Sequence, residues 1–176
     1  MNDPARLMDS PRFIAAMTHP LTAIPLDDDD APADVADLVA LIAVCRAMLA
    51  GRVIVVTHTH ATADAVAGAV FVYMRRVSGA TITETHDPEY GRRVRIIDDA
   101  SDPGAEIVMV TGTATHVRGM DAATLIVAEA DAAPAEVVDE CLPAVARTSD
   151  ARVIYVGRRP RESRWSRMVR DHGVES

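Results

Sequence analysis

Glu129 stands at the end of an unbroken apolar run, Leu125-Ile-Val-Ala128, with Asp131 two residues further on. A carboxylate held at the tip of a buried strand can polarise a water for attack on phosphorus, the chemistry of a nucleotide-hydrolysis site. That chemistry also needs a glycine-rich loop and a lysine, whose ammonium is a compact point charge on the terminal phosphates. The sequence contains no lysine: all 18 of its basic residues are arginine. Glu129 is therefore expected first as a solvated strand-end or helix-capping carboxylate, with a vestigial catalytic base as the sharper alternative.

Other residues offer different chemistry. His58-Thr-His60 directly follows the apolar run Val53–Val56, and two imidazoles so placed can share a metal. The pair resembles the metal-binding turn of metallo-β-lactamase-like hydrolases, but Thr62-Ala63 stand where that family has Asp-His. A metal-dependent hydrolase using His58, His60 and His116, with Asp64 nearby, is the enzymatic alternative; the leading expectation is no metal and no cofactor. The run Asp27–Asp30 lacks the spaced oxygens and the turning glycine of a calcium loop. Arg158, Arg159, Arg161, Arg164, Arg167 and Arg170 concentrate positive charge near the end of the sequence. Arg161, Arg164 and Arg167 fall one helical turn apart and could follow a phosphate backbone, making a nucleic-acid binder a second alternative. No Gly-x-Ser-x-Gly elbow occurs, and neither Cys45 nor Cys141 has an activating neighbour in sequence.

These residues need elements to hold them. A short helix near Pro11–Met17 and a strand at Leu21–Leu26 lead into the acidic loop. Val35, Leu38, Val39, Ile42, Cys45 and Leu49 then recur at helical spacing, with Asp34 as the expected N-cap and Gly51 past the end. Arg52–Thr57 is a β-branched strand covered on both faces. A helix follows over Thr62–Val77, with Ala63, Val66, Val70 and Met74 on its inner face. Strands are expected at Thr81–Thr85, Val94–Ile97 and Glu106–Thr111, forming a β-rich insert around 80–112. Leu125–Ala128 is another buried strand, and Pro134 opens a helix that turns Val137, Val138, Cys141, Leu142 and Val145 inward. Arg152–Val156 is the last strand. Ser163–His172 is a helix with Trp165, Met168, Val169 and His172 on one side and arginines on the other. The order predicts an α/β domain of three layers, a mostly parallel sheet with helices on both faces, over residues 1–160. A basic helix or tail occupies 161–176.

Composition sets the limits. The 176 residues carry a formal net charge of −8 and are 49% apolar but only 3% aromatic. The core must come from Val, Ile, Leu, Ala and Met, and the surface as a whole does not attract nucleic acid. The first fifty residues hold eight acids against three arginines and the last twenty-six hold seven arginines against three acids, so copies could associate through acidic and basic halves. Two isolated thiols make no disulfide framework, no apolar run spans a membrane, and the start lacks a secretory pattern. The expected location is a bacterial host's cytoplasm.

Taken in order, these features resemble the ATPase domain of the large terminase subunit of tailed bacteriophages, the motor that pumps DNA into capsids. The resemblance spans roughly residues 3–160. It is carried by Asp3-Pro4 and the helix after it, Leu38–Leu49, Val53–Thr57, Arg118-Gly119, and Leu125–Glu129. It implies a RecA-like P-loop NTPase fold. The departures imply lost chemistry. Asp34-Val35-Ala36 stands where the family has Gly-Lys-Ser/Thr, Ala128-Glu129 replaces Asp-Glu, Gly157-Arg158-Arg159 matches the coupling element poorly, and the sequence ends before a nuclease domain. The expectation is a phage or prophage protein that neither binds ATP with Mg²⁺ nor hydrolyses it. It would serve as a binding or assembly module for DNA, a packaging component or a host protein, with Arg118 and the late arginines as contact residues.

Overall fold

The computed structural model describes residues 3–27, 29–77, 81–87, 91–97, 104–112, 117, 119–158 and 164–173. In chain order the elements are α1 (Pro4–Met8), α2 (Pro11–Thr18), β1 (Leu21–Leu26), α3 (Pro32–Ala50), β2 (Arg52–Thr57), α4 (His60–Val77), β3 (Thr81–Asp87), β4 (Gly91–Ile97), β5 (Ala105–Thr111), β6 (Thr124–Ala128), α5 (Ala135–Val145), β7 (Arg152–Arg158) and α6 (Arg164–His172).

The strands form one seven-stranded sheet in the order β1-β7-β6-β2-β5-β4-β3. The first five in that order run parallel, and β4 and β3 close the far edge antiparallel. The expected three-layer, mostly parallel α/β architecture is present. One boundary differs from the sequence reading: β5 is no part of an insert. It pairs with β2 from Arg52↔Glu106 to Thr57↔Thr111 and completes the parallel sheet. Only the β3–β4 hairpin is appended.

Period-two alternation sends each strand's side chains to opposite faces. Ile24, Val53, Val55, Ile107, Met109, Ile126 and Ile154 pack under α3 and α4 together with Phe13 of α2. Ile54, Val56, Val108, Val110, Leu125, Val127 and Tyr155 pack against Val137, Val138, Cys141 and Val145 of α5, and Val169 of α6 joins them. Each such side chain, fully buried, contributes roughly 1.5–3 kcal/mol, which aliphatic residues supply as well as aromatic ones. The helix α6 lies beside β1, where Gly173 bridges to Ala23.

The central helix α3 is buried nearly all round, including Asp37 and Arg46. Two expectations about it need correction. Its N-cap is Ala31, not Asp34: Pro32 at the first helical position has a preset φ and lacks the N–H that would go unsatisfied there, so the helix starts earlier and Asp34 falls in the first turn. Leu49 does not face inward but is 72% exposed, because the helix ends there at Gly51, whose φ of 92° reverses the chain into β2.

At the amino edge of the sheet, arginines tie elements together. The guanidinium of Arg46, 3% exposed, donates to Thr124 Oγ1 at 2.9 Å and to both the backbone and the carboxylate of Asp150 at 3.3 Å. Arg52 pairs with Glu106 and donates to the Asp121 carbonyl, and Arg147 pairs with Asp121 at 2.7 Å. No helix among the described residues is long and apolar enough to cross a membrane.

Candidate functional site

Parallel strands bring their carboxyl ends to one edge of the sheet, where an open α/β fold places its ligands. The loop after β1, the turn between β2 and α4, the turn after β6 and the end of β7 meet there.

The loop after β1 is closed on itself. The Asp30 amide donates to the Asp27 carbonyl at 3.1 Å, and the Asp27 amide donates to Asp30 Oδ2 at 2.7 Å. Arg12 reaches across from α2 and clamps both acids: Nη2 lies 2.9 Å from Asp27 Oδ2, and Nη1 donates to both carboxylate oxygens of Asp30 at 3.0 and 3.1 Å. Burial tends to raise the Asp30 carboxyl, but the Asp27 amide, Arg12 and Arg158 outweigh it and hold its pKa below 3.8. Arg12 thus compensates part of the charge of the acidic run, and the Asp27 and Asp30 amides already have acceptors.

Glu129 sits in the left-handed region, at φ 58°. For a residue with a side chain this conformation costs on the order of 1 kcal/mol, so its surroundings must hold it there. They do so through its carboxylate, where Oε2 accepts from the amides of His58 at 3.0 Å and Thr59 at 3.3 Å. Thr59 in turn caps α4 by accepting from the Thr62 amide at 3.1 Å. Glu129 thus ties the end of β6 to the start of α4.

The next tie is made by Asp131, whose Oδ1 accepts from the Arg158 amide at 2.9 Å, while the Ala130 amide donates to the Val156 carbonyl at 2.9 Å. Gly157 makes room for this turn. A Cβ there would lie 2.6 Å from Asp131 Oδ1 and 2.9 Å from the Ala130 nitrogen. The Arg158 guanidinium points back to the Asp30 carbonyl at 3.4 Å. Between α3 and α4, above Ala128, lies a cleft of about 290 Å³, with Glu129, Asp131 and Arg158 at its mouth.

The remaining candidate residues are scattered. His58 and His60 are both exposed at the start of α4, and the described residues contain no group of three His, Cys, Asp or Glu that could hold a metal. Arg167 and Arg170 are exposed on α6. His116, Arg118, Arg159 and Arg161 lie outside the described residues, as do the side chains of Arg164, Trp165 and Met168. Burial pushes the Cys141 thiol up to about 12, helped by the Glu140 charge, and also raises Cys45, so neither thiol is a ready nucleophile. Sequence reasoning missed Arg12, and it named Asp131 and Gly157 without seeing that they form one turn. Arg12 is fifteen residues from its nearest carboxylate partner, and no spacing rule reaches that far.

No protein-family model and no curated protein matches the sequence. Solved structures do. Over 94% of this chain, the ATPase domain of the Thermus phage P74-26 large terminase superposes with a TM-score of 0.61 at 14% identity, and 66% of that chain is covered. The large terminase of the HK97 bacteriophage gives a TM-score of 0.59 at 11% identity, covering 89% of this chain and 33% of that one. The large terminase of a thermophilic bacteriophage gives 0.59 at 10% identity, covering 88% of this chain and 38% of that one. The chain thus spans about a third of these full-length terminases. A RecA-like sheet of five parallel strands, with the connection after β1 and the turn after β6 on one edge, is the fold that this chain shares with the ATPase domains of phage large terminases.

Proposed function

We propose that the chain is a terminase-like protein of a phage or prophage that has lost ATP hydrolysis and acts as a binding or assembly module. Its partner would be DNA, a packaging component or a host protein. One observation carries the reading: the connection from β1 to α3 is an acidic turn clamped by Arg12, with Asp27 and Asp30 amides already bonded. A phosphate-binding loop needs the opposite, free amides around an anion with a lysine beside them. Glu129, the nearest counterpart of a catalytic base, is engaged by two backbone amides. Purified protein should release no phosphate from ATP above the blank, with or without DNA. Release that stops on Glu129→Ala substitution would overturn the proposal.

DNA is favoured as partner by α6, where Arg167 and Arg170 are exposed one turn apart. Replacing both by alanine should weaken binding to duplex DNA across all sequences and flatten its salt dependence by about one unit of log–log slope per lost contact. No mobility shift at low salt with the unmodified protein would rule DNA out and leave the protein partner.

A further inference from the structure

The cleft at the carboxyl edge is built from small residues. Its walls are Val35, Ala36 and Val39 of α3 and Ala61, Ala65 and Val66 of α4, with Ala128 below. Larger residues at the alanine positions would close it, so the void follows directly from the sequence. The space sits at the lower end of small-ligand pockets, which start near about 300 Å³, and suits a short hydrocarbon chain with a polar head.

Charge at the mouth selects the head. Oε2 of Glu129 and Oδ1 of Asp131 are engaged by backbone amides, while among the described residues Oε1 and Oδ2 accept no hydrogen bond. The cation that lines the cleft, Arg158, turns its guanidinium to the Asp30 carbonyl. The amino ends of α3 and α4 favour an anion, but Asp34 in the first turn of α3 and Glu129 on the amides before α4 already answer them. An open apolar cleft lined by two partly unengaged carboxylates is complementary to an amphiphilic cation.

We propose that this cleft binds a small organic cation, an alkylammonium or alkylguanidinium, with its hydrocarbon on the alanine and valine walls and its head between Glu129 and Asp131. The inference rests on the reading that nucleotide phosphates do not dock at this edge, and ATP is titrated separately so that the two can fail independently.

The experiment is an NMR titration of the ¹⁵N-labelled chain with pentylammonium, beside pentanoate and pentanol as anionic and neutral counterparts. Pentylammonium should shift the amides of Val35, Ala61, Ala65 and Ala132 saturably, and the other two compounds should not. Glu129→Gln with Asp131→Asn keeps an acceptor for each backbone amide and should weaken binding about tenfold. Ala65→Leu, at an exposed helix position where folding is not at stake, should fill the cleft and abolish the shifts. Equal binding of pentanoate or pentanol, no saturable shift, or shifts that survive Ala65→Leu would each overturn the proposal. Saturable binding of ATP would instead overturn the reading on which it rests.

Discussion

At the scale of single residues, Glu129 and Gly157 decide whether the carboxyl edge keeps its shape. Glu129 holds a left-handed backbone through two accepted hydrogen bonds. Glu129→Ala would leave the His58 and Thr59 amides without their acceptor and should cost about 1–2 kcal/mol in denaturant unfolding. Glu129→Gln keeps an acceptor and should cost clearly less; equal losses would mean that the tie is not what stabilises the turn. Gly157→Ala drives a methyl into the Ala130 backbone nitrogen, which cannot step aside as a side chain could, and should destabilise by about 1–3 kcal/mol. The Arg12 clamp makes its own pH signature. A carboxyl whose folded pKa is depressed adds stability above its unfolded value and loses it as pH falls through the folded one. The stability lost on Arg12→Ala should therefore be largest near neutrality and shrink as pH falls below 3.8. A difference that stays constant through acid would show that Arg12 acts by packing alone.

At the scale of elements, the strands and helices were legible because hydrophobic period and turn residues report them directly. The runs Arg52–Thr57 and Leu125–Ala128 read as buried strands and are buried on both faces. The boundaries of α3 were less legible, since a helix wrapped by sheet and helices alike shows no polar side from which its facing could be inferred. Arg46 is the sharpest case. It reads as a polar break in an apolar helix, yet it is buried and joins α3 to β6 and to the loop before β7, across more than seventy residues of sequence. Arg46→Ala should leave Thr124 and a buried gap behind and cost on the order of 2–4 kcal/mol, lowering Tm by about 5–10 °C. A loss under about 1 kcal/mol would place the strength of that junction elsewhere. The candidate site was the least legible part. Its acids lie in sequence, but the Arg12 clamp and the alanine cleft exist only once β1, β6, β7 and the two helices meet.

At the scale of the whole molecule, the chain shares the fold of phage large terminase ATPase domains, and internal ties join the loops at the carboxyl edge of its sheet. Four loops are joined there: Arg12 to the turn after β1, Glu129 to the start of α4, Asp131 to β7, and Arg158 back to Asp30. The thiols and the phenol agree with a tight interior. Burial holds Cys141 and Tyr73 up to about 12, with the Asp37 carboxylate adding to the effect on Tyr73. Groups with raised folded pKa values lend stability below the unfolded values and lose it above them, so stability should fall as pH rises past about 9. Isothermal titration of the purified chain with ATP, with and without Mg²⁺, tests the central claim most directly. Heats of dilution alone are expected in both cases; a saturable one-to-one isotherm would contradict it.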